Sequence, residues 1–128
     1  MSYQEFLSRK EHSADLKGFA PTFLQSFLFD FQVALIDWAT RGGRRGIFAD
    51  CGLGKTPMQL VWAQNVVQQT NKHVLIIAPL AASAQTVREG AKFDIPCVRS
   101  STGYIPTGAS IVVTNYERLH LFNPHDFS

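Results

Sequence analysis

A glycine-rich segment in the first half of the chain has the residue types and spacing of a phosphate-binding loop. The segment ADCGLGKT spans residues 49–56. It follows a short apolar run, GIFA at 46–49, that predicts a strand, and it precedes a pattern typical of a helix. A strand, a glycine-rich turn ending in Lys-Thr and a helix together bind the phosphates of a nucleoside triphosphate. The motif usually opens with glycine, and Ala49 stands in that place here.

The residues of this segment, called the phosphate loop below, suit particular parts of a nucleotide. Gly52 and Gly54 let the backbone approach phosphate oxygens because they lack a Cβ atom. Lys55 is predicted to reach the β- and γ-phosphates, and Thr56 to offer its hydroxyl to magnesium. ATP and magnesium are therefore the predicted cofactors, and Lys55 and Thr56 are the candidate catalytic residues. The predicted nucleotide-binding residues of the loop are Asp50, Cys51, Gly52, Leu53, Gly54, Lys55 and Thr56.

Length and composition indicate an ordinary globular protein. The chain has 128 residues, of which 45% are hydrophobic and 17% are charged. This length favours a single domain with a real core. The net charge of +2 does not by itself require a nucleic-acid partner, so any such contact must come from local patches. Two cysteines, Cys51 and Cys97, suit a reducing compartment as free thiols. Without a signal peptide or a long apolar span, we expect a cytoplasmic protein with no membrane partner.

Apolar patterning predicts an α/β fold in which a parallel sheet is flanked by helices. A helix at 3–12 and a connector at 15–25 are expected to form an N-terminal segment, residues 1–26, ahead of a domain at 27–128. Asp30 is a candidate cap for the next helix, whose Trp38 is expected to face the core. The remaining predicted elements are a helix following the phosphate loop, strands at 73–78, 95–99 and 111–114, a helix at 83–93 and a turn at 116–119 capped by Asn115.

Parallel strands bring the residues that follow them to one rim of the sheet. In such sheets, ligands bind at the carboxyl ends of the strands. Three groups directly follow predicted strands: the phosphate loop, residues 79–85 and residues 115–118. We therefore expect these three groups to lie close together.

Four segments, in this order, resemble motifs of superfamily 2 helicases. LFDFQ at 28–32 resembles the Q-motif, and ADCGLGKT resembles motif I, whose GLGKT ending is typical of the Swi/Snf side. LIIAPLAASAQTVREGAKF at 75–93 resembles motif Ia, and IVVTNYERL at 111–119 resembles motif Ib. The resemblance is to the first RecA-like domain of Swi/Snf-type and phage DEAD/DEAH-like translocases, and it covers most of the chain beyond residue 27.

The resemblance implies a P-loop NTPase (RecA-like) fold and an ATP-dependent helicase or translocase activity. It implies that Gln32 reads the adenine edge, since an amide both donates and accepts there. It also implies contacts with the backbone of a nucleic-acid strand, with DNA favoured as the partner. The residues implied in those contacts are Leu80, Gln85, Arg88, Thr114, Asn115 and Tyr116.

One departure from the family narrows the expected activity. The family has an Asp-Glu pair, motif II, soon after motif Ib, and the sequence contains no Asp-Glu dipeptide. The resemblance therefore implies the N-terminal part of a helicase-like ATPase, truncated before motif II and without the second RecA-like domain. Its sheet would be incomplete, and the rest of the helicase or another protein would be its partner. The alternatives are a non-catalytic interaction module with a vestigial loop and, less favoured because no lid segment is recognisable, a small P-loop kinase.

Overall fold

The computed structural model describes residues 2–5, 17–49 and 54–128. These residues form a small parallel sheet flanked by helices, which confirms the predicted α/β class. Among the described residues, no helix has the length and apolar character needed to cross a bilayer. In chain order the elements are α1 (Asp30–Gly42), α2 (Lys55–Thr70), β1 (Val74–Ile77), α3 (Leu80–Lys92), β2 (Cys97–Arg99), β3 (Ile111–Thr114) and the 3-10 helices Tyr116–Leu121 and Pro124–Asp126.

The described strands form one parallel sheet in the order β1-β3-β2. Its register places Val74 of β1 and Cys97 of β2 beside Ile111 of β3. Every residue of the central strand β3 is buried, as expected for a parallel strand covered on both faces. The predicted strand at 111–114 is therefore confirmed with the predicted bounds, and strands also occur in the other two regions after the phosphate loop where they were predicted.

The core lies between the sheet and the helices that pack on it. Helix α2 contacts β1, β3 and both other helices, and α3 contacts β2 and β3. Helix α3 begins at Leu80, three residues earlier than predicted, because Pro79 ends the preceding extended segment and serves as the N-cap. The largest fully buried apolar side chains are Ile36, Leu60, Val61, Ile95, Ile111, Val112 and Val113.

Helix α3 approaches β2 closely at a glycine. A Cβ atom at Gly90 would lie 2.6 Å from the Ile95 carbonyl oxygen and 2.8 Å from Cys97 Sγ, so this position has no room for a side chain. The Cys97 thiol is a buried free thiol that donates to the Thr86 carbonyl oxygen at 3.6 Å. Burial raises the pKa of this thiol, so Cys97 packs as a small apolar group and is not a nucleophile.

Two predictions about local structure are wrong. The apolar segment at 46–49 is not a strand, and the side chain of Phe48 is 100% exposed. None of the described strands pairs with it, and an extended segment without a hydrogen-bonded neighbour does not persist as a strand. Asp30 is not the N-cap of α1, because the cap is Phe29 and Asp30 occupies the first helical turn.

The N-terminal segment is only partly described. Residues 3–5 are helical, in agreement with the predicted helix at 3–12, whose later residues lie outside the described part of the chain. Ser2 and Glu5 form a reciprocal capping box, since each side chain accepts from the backbone N–H of the other at 3.1 Å.

The predicted connector at 15–25, called the strap below, is described from residue 17 onward and is held by Asn65 of α2. This side chain is only 1% exposed and uses its whole amide. Its oxygen accepts from the N–H groups of Thr22 and Phe23 at 2.9 and 2.8 Å. Its nitrogen donates to the carbonyl oxygens of Phe23 at 2.7 Å and Val61 at 2.8 Å. The strap is thus hydrogen-bonded to the helix that follows the phosphate loop.

We predict that Asn65→Asp strongly destabilises the protein. The carboxylate would keep the two accepted hydrogen bonds, but its second oxygen would face two carbonyl oxygens in a buried site. Leaving these groups unsatisfied should lower the free energy of unfolding by at least about 1–3 kcal/mol. Urea denaturation measures this quantity. Gln68→Ala is the control, because exposed Gln68 makes only a 3.5 Å contact with the same strap, and an equal loss in both variants would contradict the role of Asn65.

Candidate functional site

The end of the phosphate loop forms the start of α2. Gly54 is the N-cap and has the left-handed backbone angles φ 72° and ψ 49°, which glycine adopts without strain. Lys55 and Thr56 are the first two residues of the helix, and Pro57 follows in the first turn, where proline is tolerated. Asp50, Cys51, Gly52 and Leu53, the remaining predicted nucleotide-binding residues, lie outside the described part of the chain.

This helix start is electropositive and has unused hydrogen-bond donors. Among the described residues, no group accepts from the backbone N–H of Lys55 or Thr56, and Gly54 offers no capping side chain. The first turn of α2 contains no acidic residue that would offset the helix dipole. Lys55 is exposed and adds a full positive charge at the same place. The arrangement can bind an anion through a mobile ammonium group and fixed N–H groups.

A cavity of about 420 Å³ lies beside Lys55 and Thr56 and is also lined by Arg45. The guanidinium of Arg45 lies 4.4 Å from the ring centre of Trp38 and donates to the Trp38 carbonyl oxygen at 2.7 Å. Trp38 is therefore 45% exposed and does not face the core, contrary to the sequence prediction. Trp62 of α2 is partly buried and packs against the core cluster.

Gln32 lies where the start of α1 meets the start of α2. Its side chain is only 5% exposed. Its oxygen accepts from the Phe29 N–H at 2.9 Å, and its nitrogen donates to the Gly54 carbonyl oxygen at 3.4 Å. Gln32 thus lies next to Gly54, the end of the phosphate loop that the structure describes. Its amide joins the start of α1 to the N-cap of α2. Its contact with adenine stays a prediction.

Next to Gln32 lies an aromatic cavity that the sequence analysis did not identify. It has a volume of about 320 Å³ and is bounded by Gln32 and Gly54 on the side of the phosphate loop. Phe27 and Phe93 stack there with ring centres 4.5 Å apart, and Phe29 and Phe31 stack at 6.1 Å. Flat apolar walls suit a planar ring. The sequence feature that could have predicted this cavity is the placement of phenylalanine at alternate positions, 27, 29 and 31, immediately before Gln32.

The rim at the carboxyl ends of β1 and β3 brings together two of the three predicted groups. The Ala78 N–H donates to the Thr114 carbonyl oxygen at 2.9 Å, so the residues following both strands are neighbours. The phosphate loop was expected at this rim through a strand at 46–49, and the absence of that strand from the described sheet removes the reason for this expectation.

The side chains predicted to contact nucleic acid differ in exposure. Leu80, Gln85 and Arg88 of α3 are exposed, as is Tyr116. Thr114 is only 1% exposed, and its buried hydroxyl has no partner among the described residues, so its side chain does not reach the surface.

Asn115 is the N-cap residue of the following 3-10 helix, as predicted, and its carbonyl oxygen accepts from the Arg118 N–H at 3.0 Å. Its side chain makes no capping hydrogen bond, because its amide donates to the Glu117 carboxylate. The backbone N–H of Glu117 and then the Asn115 amide lower the pKa of this carboxyl group. Glu117 therefore stays negative next to Asn115.

Arg88 is exposed, but its part of α3, between Thr86 and Gly90, lies beside Cys97 at the start of β2 and not at the rim. Among the described residues there is no cluster of three or more histidine, cysteine or acidic side chains that could hold a metal ion.

We predict that Gln32→Ala destabilises the protein as well as altering the site. The change leaves the Phe29 N–H without its acceptor, removes the link to Gly54 and opens a cavity where the buried Gln32 side chain lay. The free energy of unfolding should fall by about 1–3 kcal/mol. Thermal or urea denaturation tests this, with Gln69→Ala as the control because Gln69 is exposed on α2. A Gln32 variant as stable as the Gln69 variant would show that the amide does not hold the two helices together.

Comparison of the chain with protein-family models, with curated proteins and with solved structures gives no match. The functional interpretation of the site therefore depends on its own residues and their geometry.

Proposed function

We propose that the chain is the ATP-binding part of a nucleic-acid-dependent helicase or translocase, with a P-loop NTPase fold of the RecA-like type. It binds Mg-ATP through the phosphate loop and contacts a nucleic-acid backbone, most readily DNA, through the rim after β1 and β3. The four helicase-like motifs motivate the proposal. The observation that carries it is the start of α2, where Lys55 follows a left-handed Gly54 and no described residue accepts from the N–H groups of Lys55 and Thr56.

In this proposal the triphosphate lies at the N-terminus of α2. Lys55 neutralises phosphate charge, and the N–H groups of Lys55 and Thr56 donate to phosphate oxygens. The left-handed conformation of Gly54, which glycine adopts without strain, forms the turn into the helix that carries these donors. A Cβ atom at Gly54 would overlap the amide nitrogen of Gln32, so the same glycine also permits the contact with α1.

The adenine ring occupies the aromatic cavity beside Gln32. The cavity adjoins Gly54, so a base there and phosphates at the helix start belong to one ligand. Phe29, Phe31 and Phe27 supply flat apolar surface, and Gln32 supplies the polar group at the edge of the cavity. An apolar pocket with few polar groups is the usual form of a small-molecule site.

Magnesium enters with the nucleotide. Thr56 is the one residue of the described loop that offers a hydroxyl to the ion, and magnesium commonly takes only one or two protein ligands beside phosphates and waters. We propose ATP binding and not ATP hydrolysis for these 128 residues. The family orients the attacking water with an Asp-Glu pair, and the sequence contains no such pair.

We predict that Lys55→Ala weakens ATP binding without unfolding the protein. Lys55 is exposed, so its removal creates no cavity. Losing a charge-assisted contact should cost about 1.5–3 kcal/mol of binding free energy. The dissociation constant for ATP should therefore rise roughly ten- to hundredfold. Isothermal titration with Mg-ATP measures it.

Lys72→Ala is the matched control for this titration. It removes the same charge from an exposed lysine just beyond the other end of α2. Equal ATP affinity in the Lys55 and Lys72 variants would reject the phosphate-loop assignment. If partner or nucleic-acid binding were then insensitive to ATP and to Lys55, the non-catalytic interaction module would explain the chain better.

We predict weak, sequence-independent binding to single-stranded DNA that decreases steeply with salt. Phosphate contacts release counterions, so removing one cation lowers the slope of log affinity against log salt by about 0.7–1. Arg118→Ala should show this decrease, because exposed Arg118 closely follows β3 at the rim, and Lys72→Ala should not, because Lys72 precedes β1 at the opposite end of the sheet. Fluorescence anisotropy with a labelled oligonucleotide measures both slopes. Affinity that is constant from low to high salt would contradict a backbone contact.

A further inference from the structure

Arg45 brings a second positive charge to the cavity beside Lys55. It lies outside α2, three residues after the end of α1 at Gly42. It lines the same cavity of about 420 Å³ as Lys55 and Thr56, called the arginine cavity below. A cavity of this size is in the range that holds small ligands. Two cations that line one cavity attract an anion more strongly than either does alone.

The guanidinium of Arg45 is held in place by the end of α1. It lies 4.4 Å from the ring centre of Trp38 and donates from Nη1 to the Trp38 carbonyl oxygen at 2.7 Å. It also lies against Gly42, where a Cβ atom would overlap Nε of Arg45. A guanidinium has five N–H donors in one plane and can donate to several acceptors at once. A guanidinium that is already positioned loses little side-chain freedom when it binds an anion.

The arginine cavity and the aromatic cavity lie on different sides of the first turn of α2. Gly54 and Pro57 border the aromatic cavity, whereas Lys55 and Gln59 border the arginine cavity. Residues three or four positions apart share one face of a helix, so each pair marks its own face. The N-terminus of α2, where the phosphates are proposed to bind, therefore lies between the two cavities.

Helix α1 gives the separation of the two cavities. Gln32 borders the aromatic cavity, and Ala39 borders the arginine cavity. Seven helical positions correspond to about 10 Å along the helix axis. A nucleotide with its base in the aromatic cavity and its phosphates at the start of α2 would extend toward the arginine cavity. The terminal phosphate, which is the group farthest from the base, would then be the one nearest Arg45.

We propose that Arg45 binds the terminal phosphate of the nucleotide and thereby makes the site prefer the triphosphate to the diphosphate. This inference rests on the proposed function, because it places the phosphates at the start of α2. The guanidinium donates to oxygens of the terminal phosphate from the side opposite the base, while Lys55 neutralises the phosphate chain at the helix start. ADP lacks the group that Arg45 binds, so Arg45 contributes to the affinity for ATP alone.

The test compares the affinities of the complete chain for Mg-ATP and Mg-ADP by isothermal titration. Arg45→Ala should weaken ATP binding about tenfold or more and should change ADP binding by less than about twofold. The ratio of the two dissociation constants is the deciding quantity, because a general defect in folding would weaken both nucleotides equally. Arg45→Gln is the second variant. It removes the charge but keeps a long polar side chain next to Trp38, and it should lower the preference for ATP in the same way.

Arg44→Ala is the matched control. It removes the same charge from the preceding position, where the side chain is exposed and does not line the arginine cavity. This variant should keep the preference of the unchanged protein for ATP over ADP. If Arg45→Ala does not fold, the comparison of Arg45→Gln with Arg44→Ala still decides the proposal.

Two results would overturn the inference while leaving the proposed function intact. In both, ATP binds and requires Lys55 but not Lys72. In the first, the Arg45 variants keep the same ATP preference as Arg44→Ala, which would show that Arg45 does not contact the terminal phosphate. In the second, the Arg45 variants weaken ATP and ADP equally, which would show that Arg45 only supports the structure of the site. A protein that binds neither nucleotide would instead reject the proposed function itself.

Discussion

The hydrogen bonds of the Gln32 amide hold the first turn of α1 against the residue that caps α2. The candidate site depends on this contact, because it sets the position of Gly54 and therefore the direction in which the first turn of α2 points. It also places the phenylalanines that precede Gln32 next to the phosphate loop. The contact is costly to break because the Gln32 amide itself is buried and would be left without these hydrogen bonds away from water.

Asn65 has the same physical role at the other end of the same helix. Its amide attaches the strap to α2, as the amide of Gln32 attaches α1. Helix α2 is therefore fixed by polar side chains near both ends and by apolar packing along its length, through Leu60, Val61 and Ala63. A helix anchored in this way keeps Lys55 and the neighbouring N–H groups at a constant place, which lowers the cost of binding an anion there.

Much of the fold could be predicted because it depends on local patterns. The uninterrupted apolar run at 111–114 indicated a buried parallel strand, and the structure has it with those bounds. Glycine before Lys-Thr indicated a turn into a helix, and Gly54 has the left-handed conformation that this turn requires.

Predictions that depended on a pairing strand or a packing partner elsewhere in the chain were less successful. The run at 46–49 has the composition of a strand but no strand to pair with among the described residues. Trp38 has helical spacing but packs under Arg45.

The sequence by itself determined the class of fold and the start of α2 at Gly54 and Lys55. These follow from the chemistry of residues close together in the chain. Only the tertiary structure decided that the Gln32 amide joins two helices, that four phenylalanines form one cavity and that the Thr114 side chain does not reach the surface. Each of these depends on residues distant in sequence, such as Phe27 and Phe93, whose meeting is decided by how the helices pack on the sheet.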